Sequence, residues 1–207
     1  MKFSGIYAIT DDALLSANQL LHKVELALDG GIALLQYRSK TTGTESKQRI
    51  ARELAQLCAN YQVPLLINDD PQLALQAGAQ GVHLGQSDGD IASARKLLGQ
   101  DAIIGVTCHA SLEKALRAEA AGANYVAFGR FYPSQTKPEA PAAELALLRE
   151  AKQKLSLPIV AIGGINPENG AATIAAGADM LAVIHSLFGE EDVSANADRL
   201  VSLFRAN

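Results

Sequence analysis

Eight short apolar runs alternate with longer segments of helical periodicity along the sequence. Runs of this length are typical of strands buried on both faces. The segments between them, such as 45–61 and 111–122, are rich in Ala and Leu and repeat apolar residues every three or four positions, which predicts helices. This βα alternation argues against a sandwich or a helical bundle. The predicted strands are 6–10, 34–38, 65–69, 81–85, 103–108, 125–129, 159–163 and 180–184.

Four of the predicted helix-to-strand connections share one form, in which a small residue and a glycine precede an apolar run. A glycine just past a helix end can adopt the left-handed conformation that closes the last turn. The repetition supports a chain of similar βα units. The glycines concerned are Gly30, Gly78, Gly122 and Gly177.

Eight right-handed βα units in 207 residues favour one closed barrel and leave no room for a second domain. We therefore predict an α/β chain folded as a single (β/α)8 TIM barrel over residues 1–207. An open doubly wound sheet is the alternative. The nucleotide-binding versions of that sheet carry G-x-G-x-x-G or G-x-x-x-x-G-K-[ST] after a strand, and neither motif occurs here.

The overall charge of −4 and pI near 5.6 give no global attraction for nucleic acid or for an anionic membrane. Any anion-binding site must therefore be local. The apolar runs are shorter than a membrane span, and the N-terminus lacks the pattern of a signal peptide, so we expect a cytoplasmic protein with no membrane partner. Cys58 and Cys108 fit no disulfide or metal framework. A homo-oligomer is left open.

The carboxyl ends of barrel strands carry the ligands in this fold, so their residues are the candidate site. After the second strand, Gln36, Arg38 and Lys40 alternate at period two and share one side if the chain stays extended. Two cations and an amide on one side predict a clamp for phosphate oxygens.

The third and fourth predicted strands end near carboxylates. Asp69 and Asp88 follow neighbouring strands and would face the cationic clamp, an arrangement that commonly holds Mg²⁺ and a diphosphate. Asp70 and Asp90 are better explained as helix N-caps. We predict that His83 is a packed barrel residue whose nitrogens are hydrogen-bonded.

The later strand ends add hydroxyls, cations and glycines. Thr107 and His109 end the fifth strand, whereas Cys108 has no basic neighbour and is predicted to be structural. The sixth strand leads into a Pro-bounded basic loop at 130–141, which is a candidate lid over an anion. Its polar residues are Arg130, Ser134, Gln135, Thr136 and Lys137.

The last two strands predict a phosphate cup. Gly163 and Gly164 let backbone N–H groups approach a ligand, and amides near His185 would complete the cup. No nucleophile–base pair or G-x-S-x-G motif is evident. The whole set suits two phosphorylated ligands that meet with Mg²⁺ at one barrel mouth.

These motifs resemble the thiamine-phosphate synthase family. The resemblance covers nearly the whole chain in order, and QYR-x-K, INDD and VHLGQ-x-D together are its most specific part. The matching segments are YAIT-D, LLQYRSK, INDD, GVHLGQSD, IGVTCH, SQTKP, AIGGIN and AVIHSLF.

The resemblance implies a fold, an activity and residue roles. The family joins a hydroxymethylpyrimidine diphosphate to a thiazole phosphate with Mg²⁺ and releases diphosphate. It implies that Asp69 and Asp88 hold Mg²⁺ and that Lys137, Arg38 and Thr107 are catalytic. The implied diphosphate side comprises Gln36, Arg38, Lys40, Asn68, Thr107 and Lys137. The implied thiazole-phosphate side comprises Ser134, Thr136, Gly164 and the backbone amides of Ile184 and His185. Tyr37, Ser39 and Gln135 are also implied to bind substrate.

The sequence departs from the family pattern at four positions. Thr107 stands where serine is usual and keeps the hydroxyl, and Ser134 replaces a threonine at the cost of a methyl group. His185 stands where serine is frequent, which a backbone contact would tolerate. Arg130 replaces a common proline and adds a cation near the mouth.

Two other functions compete with the synthase. A related barrel that only isomerises a thiazole phosphate would need the phosphate cup but not the diphosphate and metal residues. A non-catalytic sensor of phosphorylated ligands would bind both substrates without turnover. The paired carboxylates favour the synthase over both.

Overall fold

The computed structural model describes residues 3–134, 141–189 and 191–205. Its strands are β1 (Gly5–Ile9), β2 (Leu34–Tyr37), β3 (Leu65–Asn68), β4 (Gly81–Leu84), β5 (Ile103–His109), β6 (Tyr125–Phe128), β7 (Ile159–Ile162) and β8 (Met180–Val183). Its helices are α1 (Ala17–Asp29), α2 (Thr44–Asn60), α3 (Pro71–Ala77), α4 (Ile91–Leu98), α5 (Leu112–Ala120), α6 (Leu145–Lys154), α7 (Pro167–Ala175), α8 (His185–Phe188) and α9 (Val193–Ser202).

The strands are parallel and pair in chain order, and β8 pairs with β1, so the sheet closes into a barrel. The predicted (β/α)8 barrel is therefore confirmed, and the open sheet is not observed. Each predicted strand lies within one residue of the observed one at both ends. Within the described residues, no helix is long and apolar enough to cross a membrane.

Alternation along the strands divides the core into two layers. Side chains such as Tyr7, Leu66 and Val160 fill the barrel interior, whereas Leu35, Ile67 and the apolar faces of the helices pack outside it. Both faces of the sheet are thus dry below the mouth, which explains why the strands are apolar runs without a polar face.

Gly105 allows a large aromatic side chain to enter the barrel interior. A Cβ at this position would lie 1.9 Å from Cζ of Tyr125, its partner residue on the neighbouring strand. The Tyr125 ring therefore lies directly against the β5 backbone. It is fully buried there, beneath the carboxyl ends of the strands.

The prediction that a left-handed glycine closes the helix is confirmed at three of the four helix-to-strand connections and is wrong at the first. Gly78, Gly122 and Gly177 have φ values of 70°, 87° and 119°. Gly30 instead continues the helical conformation at φ −70°, and Gly31 makes the turn at φ 91°. Gly30 is required for packing, because a Cβ there would lie 2.4 Å from Cβ of Ala197 in α9.

The two predicted aspartate caps are confirmed. Asp70 accepts a hydrogen bond from the Leu73 amide at 2.9 Å, and Asp90 accepts one from the Ser93 amide at 2.8 Å. These carboxylates begin α3 and α4. Their near neighbours Asp69 and Asp88 do not cap these helices, and they are available for another purpose.

Candidate active site

A cavity of about 420 Å³ opens at the carboxyl ends of the strands. It is lined by residues from both halves of the barrel, so the predicted diphosphate side and the predicted phosphate cup share one space. The structure brings together these predicted residues in its lining: Gln36, Arg38, Asn68, Thr107, Ser134, Gly164, Ile184 and His185.

Arg38 is held in the cavity wall by the end of β1. Its Nη1 lies 2.8 Å from Oδ2 of Asp11, and the two side chains are only 16% and 13% exposed. Thr10 ties the backbones together, since its hydroxyl donates to the Arg38 carbonyl at 3.1 Å and accepts from the Arg38 amide at 2.9 Å. The guanidinium is therefore fixed before any ligand binds.

Asp12 holds the segment that follows β2. Its Oδ2 accepts hydrogen bonds from the amides of Lys40 and Thr41 at 2.6 and 2.8 Å, and also from the hydroxyls of Ser39 and Thr41. Burial acts to raise the pKa of Asp12, but these hydrogen bonds lower it below its ordinary value. One ionised carboxylate thus fixes the whole turn that carries Lys40.

Removing this carboxylate should loosen the turn while leaving the barrel folded. In Asp12→Ala, we expect the amide hydrogens of Lys40 and Thr41 to exchange with solvent about tenfold faster, because each loses its acceptor. Hydrogen exchange measured by NMR checks this. Asp90→Ala is the matched control and should affect only amides at the start of α4. Unchanged exchange at Lys40 in Asp12→Ala would contradict the role of Asp12.

The side chains of Lys40, Asp69 and Asp88 meet beside the cavity. Lys40 Nζ donates to Asp69 Oδ2 at 2.9 Å, and Asn68 Nδ2 donates to the same oxygen at 2.6 Å. A Cβ at Gly85 would lie 2.2 Å from Oδ2 of Asp88 and 3.7 Å from Oδ1 of Asp69. The two carboxylates therefore converge over Gly85, where a Cβ would crowd the Asp88 carboxylate in its present position.

Asp69 is an ionised group on a strained backbone. Partial burial acts to raise its pKa, but the hydrogen bond and charge of Lys40, together with contacts to Asp88 and Asn68, lower it. Its φ of 62° is left-handed, a conformation that Asp tolerates better than most residues. Strained backbone of this kind persists only where the surrounding structure holds it in place, and it is found most often at functional sites.

The predicted period-two clamp is only partly formed. Gln36 and Arg38 line the cavity, but β2 ends at Tyr37 and the chain then turns, so Lys40 lies at the rim on Asp69. Ser39 is buried near Asp12, and Tyr37 packs in the layer between sheet and helices. Neither lines the cavity, and their binding roles stay predictions.

An irregularity in β5 shapes the next part of the wall. The pairing with β6 shifts between Thr107 and His109, and both residues line the cavity. Cys108 between them is buried in the outer layer, and burial raises the pKa of its thiol to about 12. A thiol that stays protonated is a poor nucleophile, which agrees with the structural role predicted for Cys108.

The start of the loop after β6 is pinned against the end of β7. The amides of Phe131 and Tyr132 donate to the carbonyls of Ile162 and Gly163 at 3.2 and 3.0 Å. A Cβ at Gly164, whose φ is 64°, would lie 2.2 Å from the Pro133 carbonyl oxygen. This close approach places Ser134 beside the glycine pair. Gln135, Thr136 and Lys137 lie outside the described residues.

A chain of hydrogen bonds crosses the barrel at the floor of the cavity. Gln36 Nε2 donates to the Tyr7 hydroxyl at 2.6 Å, and the Tyr7 and Tyr125 hydroxyl oxygens are 2.8 Å apart. His83 Nδ1 lies 2.7 Å from the Tyr125 hydroxyl, and its Nε2 lies 2.8 Å from Thr107 Oγ1. The prediction that both nitrogens of His83 are hydrogen-bonded is confirmed, and His83 also lines the cavity.

Sequence reasoning missed five residues that shape this site: Tyr7, Thr10, Asp11, Asp12 and Tyr125. All five make contacts between strands or loops that are distant in the sequence, so no local spacing reveals them. The one available signal was the polar run TDD at the end of the first apolar run. Its position at a strand end would have marked it as part of the mouth.

Known proteins share this fold and these segments. A family model described as thiamine monophosphate synthase matches residues 6–187. The thiamine-phosphate synthase of Saccharophagus degradans is 56% identical over 96% of this chain and 92% of its own, and that of Alcanivorax borkumensis is 52% identical over 100% and 96%. A solved thiamine phosphate pyrophosphorylase from Pyrococcus furiosus superposes with a TM-score of 0.90, at 33% identity, over 99% of this chain and 97% of that one. A match across nearly the whole barrel, at identities this high, is that of a family member, and the chain belongs to the thiamine-phosphate synthase family of transferases.

Proposed function

We propose that this chain condenses 4-amino-5-hydroxymethyl-2-methylpyrimidine diphosphate with a thiazole phosphate, either hydroxyethylthiazole phosphate or its carboxylate, to give thiamine phosphate and diphosphate. The names of its relatives support the product. The observation that carries the proposal is the convergence of Lys40, Asp69 and Asp88 beside a cavity that also holds Arg38. A diphosphate bound there would lie between two cations and a pair of carboxylates.

The carboxylate pair fits Mg²⁺. Mg²⁺ prefers hard oxygen ligands and is commonly held by one or two carboxylates, with water and substrate phosphate oxygens completing its shell. Asp69 and Asp88 supply two carboxylates over Gly85, and a Cβ there would fill the space between them. Among the described residues, no three His, Cys, Asp or Glu side chains cluster as a metal site. We infer that Asp69 and Asp88 would hold Mg²⁺ against the substrate's diphosphate.

The substrates are assigned to two sides of the cavity. Arg38, Lys40 and Asn68 would bind the diphosphate, and Lys137, which lies outside the described residues, is proposed to bind it as well. Gln36 and Thr107, which are the two ends of the hydrogen-bond chain at the cavity floor, would face the same ligand. On the opposite side, Ser134, Gly164, Ile184 and His185 line the wall that would take the thiazole phosphate. Gln135 and Thr136, outside the described residues, are proposed to bind the same phosphate.

The chemistry that this arrangement supports is a dissociative substitution at the pyrimidine methylene. The bond from the methylene carbon to the diphosphate oxygen breaks, and the electron pair leaves with the diphosphate. Arg38, Lys40 and Lys137 stabilise the charge that develops on that oxygen, and Thr107 donates a hydrogen bond to it. Asp69 and Asp88 would hold Mg²⁺, which when bound would supply further neutralisation of the charge on the diphosphate.

The second half of the reaction requires the thiazole to be correctly positioned, and it needs no protein nucleophile. The thiazole nitrogen donates its electron pair to the methylene carbon and forms the new C–N bond. The phosphate cup holds the thiazole in place, and the cavity walls keep water from the electrophilic carbon. This explains why a nucleophile–base pair is not needed among the residues at the mouth.

The reaction itself tests the proposal. Purified protein mixed with both substrates and Mg²⁺ should form thiamine phosphate and diphosphate in equal amounts, and excess EDTA should lower the rate by roughly a hundredfold or more, because a metal ion contributes several kcal/mol of charge stabilisation. Restoring Mg²⁺ should restore the rate. Tight binding of both substrates without product would instead indicate a sensor. Conversion of the thiazole phosphate alone, without diphosphate release, would indicate an isomerase.

The same proposal includes a reducing compartment, the cytoplasm. Both cysteines are buried free thiols, and a disulfide between them is not part of the fold.

A further inference from the structure

We propose that the hydrogen-bond chain from Gln36 to Thr107 has one direction, and that it fixes the Thr107 hydroxyl as a hydrogen-bond donor toward the cavity. The catalytic consequence of this inference rests on the proposed function. Its structural part, the direction of the chain, stands on the contacts alone. Tyr7, Tyr125 and His83 would then be positioning residues that act through Thr107. The chain is formed by Gln36, Tyr7, Tyr125, His83 and Thr107.

The direction follows from counting hydrogens. The Gln36 amide nitrogen donates to the Tyr7 oxygen and cannot accept in return. The Tyr7 hydrogen is then directed to the Tyr125 oxygen, and the Tyr125 hydrogen to Nδ1 of His83. Nδ1 is thereby the acceptor nitrogen, so the ring hydrogen lies on Nε2 and is donated to Thr107 Oγ1. The hydrogen on Thr107 Oγ1 is left to point into the cavity.

The opposite direction leaves a conflict at its end. If Thr107 donated to His83, then His83 would donate to Tyr125, and Tyr125 would donate to Tyr7. The Tyr7 oxygen would then accept from both Tyr125 and Gln36, and the single Tyr7 hydrogen would have no acceptor among the hydrogen bonds of the described residues. At 1% exposure for Tyr7 and 2% for Gln36, such a conflict is costly.

The two tyrosines stay protonated, as the chain requires. Burial raises the pKa of both Tyr7 and Tyr125 well above the ordinary value for tyrosine. Each therefore keeps its single hydrogen near neutral pH. Packing adds rigidity, because the Tyr125 ring stacks on the His83 ring with centroids 5.6 Å apart and meets the Tyr7 ring edge-on.

The chain has a chemical consequence at the leaving group. A hydroxyl that rotates freely can turn either its hydrogen or its lone pairs toward a diphosphate oxygen. One that already accepts from His83 is pre-oriented to donate, and a pre-oriented donor gives more stabilisation to a charge that develops during the reaction. The family's usual serine at position 107 could take the same place, since only the methyl group differs.

Tyr125 offers a clean test because it does not line the cavity. It is fully buried and is linked to the cavity through Tyr7 and His83. In Tyr125→Phe, we expect kcat to fall about tenfold, as for loss of one oriented hydrogen bond, with KM for both substrates changed less than about twofold. In a Thr107→Val background, the added Tyr125→Phe should change kcat less than about twofold. Tyr61→Phe, which removes a hydroxyl contact to Asp29 on the barrel exterior, is the matched control and should leave kcat unchanged.

Either of two kinetic results would overturn the proposal. One is an unchanged kcat in Tyr125→Phe, and the other is an equal loss of kcat whether Tyr125→Phe is made in the wild-type protein or in the Thr107→Val background. Rescue adds a further check, since Thr107→Ser should keep its sensitivity to Tyr125→Phe. Thermal unfolding of each variant shows that the fold is intact.

The ¹⁵N NMR spectrum of His83 tests the direction without any substrate. The free protein should show hydrogen on Nε2 and a bare, accepting Nδ1, whereas hydrogen on Nδ1 would overturn the proposal. This readout separates the two proposals: if the wild-type protein forms no thiamine phosphate, the proposed function fails while the tautomer still decides the direction of the chain.

Discussion

Replacing Asp69 with asparagine should lower the rate of thiamine phosphate formation by roughly a hundredfold or more, the usual scale for removing one group that stabilises transition-state charge. The substitution keeps the size of the side chain and a residue type that tolerates the left-handed backbone. It removes the negative charge that, with Asp88, would hold Mg²⁺. Steady-state kinetics at several Mg²⁺ concentrations should also show that the variant needs more Mg²⁺ for half-maximal rate.

The adjacent carboxylate provides the control. Asp70→Ala removes the cap of α3 and should cost about 1 kcal/mol of unfolding free energy, but its rate should stay close to wild type. Asp69→Asn should show the reverse, with a large loss of rate and a small change in stability, because its ion-pair partner Lys40 is more than half exposed. A wild-type rate in Asp69→Asn would remove the metal role from this residue.

Arg38→Lys should lower kcat on the order of a hundredfold, even though it keeps the positive charge. The guanidinium is planar and carries five donors, so it can bind Asp11 and still present N–H groups to a diphosphate. A lysine ammonium has three donors on a flexible stem and would either bind Asp11 or reach the ligand. Steady-state kinetics and diphosphate binding by calorimetry check the two effects separately.

Arg49→Lys is the matched substitution for Arg38→Lys. Arg49 lies on the exposed face of α2 in an ion pair with Glu53, and such surface pairs contribute little to stability. We expect no change in rate for it. If Arg38→Lys were equally silent, charge alone would be sufficient at position 38 and the fixed guanidinium would have no role.

The fold could be predicted from the sequence because its signal is repeated and local. Each strand is an apolar run, and each cap or turn residue acts within a few positions of itself, as Asp70 and Gly78 do. The failure at Gly30 shows the limit of this reasoning. That glycine is set by contact with Ala197, which is distant in the sequence, while Gly31 makes the turn.

The candidate site was predictable as a set of strand ends but not as a set of contacts. Arg38, Asp69 and Thr107 could be predicted because a closed barrel brings all its strand ends to one mouth. The turn after Tyr37, which moves Lys40 onto Asp69, depends on Asp12 from another loop. The hydrogen-bond chain through Tyr125 at the cavity floor depends on Gly105 in the neighbouring strand, which leaves space for the Tyr125 ring. Such pairings arise from register and packing, and no spacing along the chain records them.

The left-handed backbone at Asp69 has a consequence for any redesign of the proposed Mg²⁺ site. A softer ion such as Zn²⁺ calls for histidine or cysteine ligands, and a bulkier residue at φ 62° would add backbone strain to the cost of changing the ligand. Asp88 is not among the residues with positive φ in the described chain, so its side chain can be exchanged without that penalty. Attempts to change the ion preference of the proposed Mg²⁺ site should therefore begin at position 88 and leave Asp69 in place.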